Sequence, residues 1–273
     1  MGGGGPSWIR RALAGWTAIV IVFLYLPIVV LVVYSFNDSR MSLVWEGFTF
    51  KWYRELFETM RAHMADERRS ALIAALWHSV EIAAGTTALS VALGTGSAWL
   101  MHRYRVPAMR MVRAAAYIPM ILPEILLGIG LLVLFKTLRM ELGFTTVILA
   151  HTTFCFPFVM VTVQARLAGL DPSLEEAALD LGATPGRAFR RVILPYLLPA
   201  IVAGGLLAFT LSFDELVVTY FTKGPRSETL PIQVYGMAKV GLSPALNTIS
   251  TVLVVLTAMM VVVAEALKKV YKS

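Results

Sequence analysis

DPSLEEAALDLGATPGRAFRRVILPYLLP, residues 171–199, is a polar island in a chain that is otherwise mostly apolar. It reads as two short helices. Asp171 ahead of Pro172 is a start signal, an N-cap acceptor followed by a residue whose missing N–H costs nothing in the first turn. Ser173 and Glu176 also stand at capping-box spacing, so the start lies at either Asp171 or Ser173. Leu174, Ala177, Ala178 and Leu181 recur at i, i+3, i+4 and i+7 and form one apolar face. Gly182 is a natural C-terminal stop, and Thr184-Pro185 restarts a helix with the same cap chemistry. Arg187, Arg190 and Arg191 then line one face, while Phe189, Val192 and Ile193 offer an apolar one; Pro195 and Pro199 close the unit. Helices of roughly ten residues are about 15 Å long, too short to cross a bilayer.

Working outward, 58% of the residues are apolar, 15% are charged and the mean hydropathy is +0.72. Soluble domains carry about 25% charged residues, so this composition is that of an integral membrane protein. The net charge of +7 reads as Lys and Arg retained on the cytoplasmic side rather than as a nucleic-acid surface. Cys155 is the only cysteine, which excludes an intrachain disulfide and reads as a small buried apolar residue. The start, MGGGGPS, is low-complexity and reads as disordered. Arg10 and Arg11 precede an apolar run too long for a signal peptide, so that run reads as an uncleaved first span.

Six apolar runs are long enough to be membrane-spanning helices: 12–34, 79–101, 114–135, 143–163, 199–221 and 246–267. The apolar stretch 71–77 extends the second backwards by up to two turns. Pro27, Pro119, Pro123 and Pro157 fall inside spans, where neighbouring helices satisfy the carbonyls that proline frees. Arg10 and Arg11 precede the first span; Arg103, Arg105, Arg110 and Arg113 lie between the second and third. Arg166, Arg187, Arg190 and Arg191 lie between the fourth and fifth, and Lys268, Lys269 and Lys272 follow the sixth. By the positive-inside rule these ends, the island and both termini are cytoplasmic. In the first outer loop, 36–70, Asp38, Glu46, Glu55, Glu58, Asp66 and Glu67 offset the basic residues. That loop also carries Trp45, Phe48, Phe50, Trp52 and Tyr53, which reads equally as an aromatic belt or as a lip over a substrate entrance.

No phosphate-binding G-x-x-x-x-G-K-[ST] loop is present; GATPGR, residues 182–187, has neither the spacing nor the lysine. His63, His78, His102 and His151 show no metal-ligand spacing, and His151, beside Thr152 and Thr153, reads as a helix–helix hydrogen-bonding residue. No nucleophile stands with a base, so the chain is not read as an enzyme. The chemistry lies in carboxylates. Glu124 follows Pro123 about ten residues into the third span, near the midplane, and Asp214 and Glu215 sit about fifteen residues into the fifth, towards the outer leaflet. A charge at such depth costs about 2.5–3.5 kcal/mol, so it faces a cavity or a partner. No Lys or Arg in these two spans lies at a similar depth. The natural complement is a cationic ligand; the alternatives are a basic residue on another subunit or protonation in place. Asp214 and Glu215 point about 100° apart on a helix, so one of them faces the path.

Glu176-Ala177-Ala178, Gly182 and Leu194-Pro195 resemble the EAA loop of permease subunits of bacterial ABC importers, with Val192 where the pattern usually has Ile. Further stretches resemble one branch, the spermidine/putrescine permeases. They are YLPIVVLVVYSFNDSR (25–40), WEGFTFKWY (45–53), AHTTFCFPFVMVTVQARL (150–167), EEAALDLGATP (175–185), LAFTLSFDELVV (207–218) and GLSPALN (241–247). Relatives often carry Asp where this chain has Glu124 and Glu215. The resemblance implies an all-α, six-span type I importer permease. It implies one transmembrane domain over 1–273, with 1–11 a cytoplasmic tail and 171–199 a coupling loop docked on an ATPase. Two permease chains, two ATPase chains holding ATP and Mg, and an external binding protein are implied, with no cofactor in this chain and the inner membrane as its place. Trp52, Glu124, Asp214 and Glu215 are the implied polyamine path; Glu176, Ala177, Ala178, Gly182, Leu194 and Pro195 are the implied coupling residues. The competing readings are a permease for another small solute and an autonomous carrier or channel.

Overall fold

The computed structural model describes residues 7–39, 44–65, 71–104, 107–240 and 244–270. Within them the chain is helical, and one isolated antiparallel bridge, Asn37 to Phe48, stands in place of any strand. The helices are α1 (Ser7–Tyr34), α2 (Lys51–Ala65), α3 (Ala71–Arg103), α4 (Pro107–Ile121), α5 (Glu124–Thr137) and α6 (Phe144–Leu167). They continue as α7 (Pro172–Asp180), α8 (Pro185–Ala188), a π-turn (Phe189–Ile193), α9 (Leu194–Phe213), α10 (Val217–Thr222), α11 (Leu230–Val240) and α12 (Pro244–Val270). The glycine-rich start 1–6, Asp66, Glu67, Arg105, residues 241–243 and Lys272 lie outside the described residues.

Four helical runs are long and apolar enough to cross a membrane: α1, α3, α6 and the run Pro185–Phe213. Helices α4 and α5 pass the same test only as a pair, and α12 contributes the shorter apolar stretch Leu246–Met259. The straight third span expected over 114–135 is therefore corrected: α4 and α5 meet at 111°. Two prolines four residues apart explain the bend. Pro123 has no N–H for the Pro119 carbonyl, and its ring disfavours a helical Leu122. Leu122 N–H closes α4 on Ile118 O at 3.1 Å, and Pro123 is extended, with ψ 132°.

The fifth span is corrected too. Pro195 and Pro199 do not close the polar loop; the helical run passes through both, from Pro185 to Phe213. The π-turn absorbs Pro195, because Leu194 N–H reaches back five residues to Phe189 O and the wider turn relieves the carbonyl that proline leaves without a donor. The run then opens at Asp214, Glu215 and Leu216 before α10 begins.

The chain divides into two compact units, Met1–Ser70 with Val234–Ala258, and Ala71–Gln233 with Met259–Ser273. The larger is built on α3, α6 and α9, which pack on one another. Ile82, Thr86, Ser90, Gly94 and Ala98 of α3 are buried at every fourth position and make a narrow ridge. Small residues let helix backbones approach where lipid offers no hydrophobic drive. Val159 of α6 uses this twice: a Cβ on Gly94 would lie 2.8 Å from Val159 Cβ, and one on Gly204 of α9 would lie 3.2 Å from its Cγ1. Cys155 is fully buried, its Sγ 3.6 Å from Ala208 O, in the packing role read from the sequence. In the smaller unit Asn37 is fully buried and organises the outer loop: Nδ2 donates to Val44 O at 2.6 Å, and Oδ1 accepts from Glu46 N–H at 2.9 Å.

Candidate functional site

Both breaks carry carboxylates. Glu124 is the first residue of α5 and is exposed; Asp214 caps the C-terminus of α9 and is exposed; Glu215 is buried. Neither Glu124 nor Asp214 has an ion-pair partner among the described residues. The breaks lie side by side, because α5 packs along α10: a Cβ on Gly128 would meet Phe221 Cδ2 at 2.7 Å and Val218 Cα at 3.4 Å. Glu124 and Asp214 both act electrostatically on the Glu215 carboxylate. The two acids at 214 and 215 do not share a continuous helix, so the expected 100° offset gives way to a sharper division. Glu215 Oε1 accepts Val218 N–H at 2.7 Å and caps α10, while Asp214 is exposed and has no ion-pair partner among the described residues. Pro119 and Pro123 announce the first break; nothing in the local sequence announces the second except two acids at depth.

His151 stands behind the second break as a helix–helix hydrogen-bonding residue, as its type and position suggest. Its Nδ1 lies 2.8 Å from Ser212 Oγ of α9 and its Nε2 2.8 Å from Thr219 Oγ1 of α10. Thr146, one turn earlier on α6, stands 2.8 Å from Thr222 O, so α6 holds α10 at two levels.

The polar loop folds as its caps dictate. Asp171 Oδ1 accepts Ser173 N–H at 2.9 Å, which settles the start of α7 at Asp171 and holds that carboxyl below its ordinary pKa. Gly182, at φ +81°, closes α7: its N–H bonds Leu179 O at 2.9 Å, and Ala183 N–H bonds Ala178 O at 3.0 Å, the Schellman pattern that favours glycine. Thr184 occupies the next N-cap without a side-chain cap bond, a correction to the cap chemistry expected there; Pro185 alone marks that start. No residue of α7 is buried; Leu174 is 46% and Leu181 89% exposed. Its apolar face, with Glu176, Ala177 and Ala178 on the same helix, is thus left largely uncovered by the described residues. Leu194 and Pro195 lie in the first turn of α9 just beyond the π-turn.

Two contacts that no short-range pattern signals tie this loop to α3. Arg103 pairs with Glu175, and Trp99 meets Phe189 of the π-turn with ring centroids 4.6 Å apart. Arg187, Arg190 and Arg191 line an open cavity of about 430 Å³ and make no ion pair among the described residues.

In the smaller unit, Trp52 Nε1 donates to Asn37 O at 2.8 Å, and Lys51 Nζ lies 5.0 Å from the Trp52 ring centroid. Phe36 stacks on Phe48 at 5.2 Å and on Tyr53 at 5.0 Å, so the aromatic residues of the loop hold one another.

Comparison with known proteins agrees with this architecture. The chain is 40% identical over 260 residues, 95% of each chain, to the spermidine/putrescine transport system permease protein PotC of Escherichia coli K12. It is 37% identical to the putrescine transport system permease protein PotI of the same organism, over 87% of this chain and 85% of the relative. Among solved structures it superposes on a chain of a bacterial ABC transporter involved in the import of alginate, with TM-score 0.73, 16% identity and coverage of 96% and 95%. A chain of the MetNI methionine ABC transporter gives TM-score 0.63 at 20% identity, covering 73% of this chain and 95% of that one. The profile of binding-protein-dependent transport system inner membrane components matches residues 90–272. With the fold, the helix breaks and the capped polar loop in place, the chain belongs to that family of transport permeases.

Proposed function

We propose that this chain is the permease subunit of an ATP-driven importer of polyamines, and that Asp214 and Glu124 carry the ammonium groups of the cargo. The observation behind this reading is the pair of adjoining helix breaks with exposed carboxylates that have no ion-pair partner among the described residues. A helix C-terminus favours a cation, and α9 ends at Asp214, so backbone and side chain there have the same sign. A polyamine is a flexible chain of protonated amines, and carboxylates at successive points match it. The likeness to PotC and PotI supports that cargo class. Trp52 belongs at the outer mouth, where its ring face attracts ammonium as it does Lys51. Glu215 serves the path indirectly, as the cap that keeps α10 in place.

Residues 171–199 form the coupling loop, docking on one of two ATPase chains that hold ATP and Mg. Leu174 and Leu181, with Glu176, Ala177 and Ala178, supply the docking face, and Gly182 its turn. The helical run through Leu194 and Pro195 joins this loop to Asp214; at 1.5 Å per residue it is roughly 43 Å long. In this reading residues 1–273 act as one transmembrane domain in the inner membrane, both termini in the cytoplasm. A second permease stands beside it and a binding protein outside.

The test is putrescine and spermidine uptake by the assembled complex in proteoliposomes. Asp214→Asn keeps size and hydrogen bonding but removes the charge. A hydrogen bond to a charged group contributes about 1.5–3 kcal/mol, so uptake should fall roughly tenfold to a hundredfold. Glu124→Gln should follow, and Trp52→Leu more mildly. Uptake at the unmodified rate in both amide variants would remove the cationic path.

A further inference from the structure

A helix that opens inside an apolar layer must replace the backbone bonds it gives up. At the α9–α10 opening two replacements are local: Glu215 Oε1 accepts Val218 N–H, and Thr219 Oγ1 donates to Glu215 O at 2.9 Å. A further link, made between side chains, comes from another helix. His151 of α6 is fully buried and places both ring nitrogens here. Ser212 is the next-to-last residue of α9 and Thr219 the third of α10, so the two bonds straddle the opening. Their direction follows from the donors. Thr219 commits its hydrogen to Glu215 O, so its oxygen accepts from Nε2–H of His151, and Nδ1 then accepts from the Ser212 hydroxyl. One chain of donors runs from α9 through the imidazole to α10 and ends on the backbone carbonyl of Glu215.

We propose that His151 is a positioning residue of the cargo path: it clamps the two sides of the α9–α10 opening and so fixes how Asp214 is presented. The proposal rests on the reading of Asp214 as a cargo carboxylate. Leucine would fill the same volume with no orientation to defend; a ring with a hydroxyl at each nitrogen, one on each side of a break, sets a separation. The Thr146–Thr222 contact already ties α10 to α6, so the Ser212 bond is what brings the end of α9 into the same frame.

The two bonds act in series, and that gives the test. Ser212→Ala and Thr219→Val each remove one hydroxyl with little change in volume, in the full complex with putrescine as the probe. Intramembrane hydrogen bonds contribute up to about 1.7 kcal/mol, so each variant should lower the maximal uptake rate up to about twentyfold. The double variant should be no worse than the worse single one, because either loss opens the clamp. In an Asp214→Asn background neither should lower uptake further. Co-purification with the partner chains should be unchanged throughout, which separates a loose path from a misfolded chain. Losses that multiply in the double variant, that persist in the Asp214→Asn background, or that are absent altogether would overturn the clamp. A normal fall for Asp214→Asn beside any of these removes only the role of His151; no fall for Asp214→Asn removes the cargo reading and the clamp with it.

Discussion

Helix α1 is the more apolar of two long helices, and α6 is the more buried. The best window of α1 has mean hydropathy 2.8 with none of it buried; that of α6 has 1.8 with 56% buried. In water the order would be reversed, because burial follows apolarity. In lipid the tails are as apolar as leucine, so hydrophobicity no longer sorts inside from outside. What sorts the two here is size and polarity. Helix α6 brings Thr146, His151, Cys155 and Val159 to small or hydroxyl-bearing neighbours. Helix α1 shows Leu13, Ile19, Phe23 and Leu24 outward, each at least 60% exposed.

The contrast breaks most directly at Gly94. A Cβ there would lie 2.9 Å from both Met160 N and Phe156 O, backbone atoms that cannot turn aside. Gly94→Leu should separate α3 from α6 and cost at least about 3 kcal/mol, the upper range for overpacking. Unfolding in mixed micelles and the yield of assembled complex would read this, and a fully stable variant would show that the two helices are not held by close approach. Thr146→Val keeps shape but strips the hydroxyl from Gly143 N and Thr222 O. The expected loss is about 1 kcal/mol in the same assay, within the range of intramembrane hydrogen bonds; no loss would shift the weight to apolar packing. The smallest effect belongs to Gly15→Ala in α1, where nothing lies within 4 Å of a new Cβ. Stability of the isolated chain should change by less than about 0.5 kcal/mol. A larger loss would mean that α1 packs inside its own chain and that the contrast is false.

Much of this architecture is legible in the sequence. Runs of apolar residues locate α1, α3, α6 and α12, because length in lipid is a one-dimensional constraint. Asp171, Pro172 and Gly182 bound α7 to within two residues, because caps are local chemistry, and the structure places the start at Asp171. Reading failed where a rule of hydropathy met a rule of backbone. The stretch 114–135 is apolar but for Glu124, yet Pro119 and Pro123 fold it back, because two prolines four residues apart act together where hydropathy reads a straight span. Pro195 erred the other way, since a proline just after a widened turn does not end a helix. The acids at 124, 214 and 215 were legible as a group. Their division into exposed and capping members was not, because it depends on an opening that only the packing of α5, α6 and α10 specifies. Arg103 with Glu175 lies beyond any short-range pattern, being 72 residues apart in the chain.

The π-turn at Phe189–Ile193 has a consequence for angular phase. A helix advances about 100° per residue, and a turn that closes five residues back holds one residue more than its neighbours. Everything before that turn is therefore rotated by about 100° relative to an unbroken α-helix leading into α9. Closing it as an ordinary α-turn with every residue kept would leave α7 and α9 each intact while swinging the exposed face of Leu174 and Leu181 a quarter-turn and more around the axis of the span. The π-turn is thus a gear setting between the loop and the membrane helix, one residue wide, that composition and hydropathy do not register.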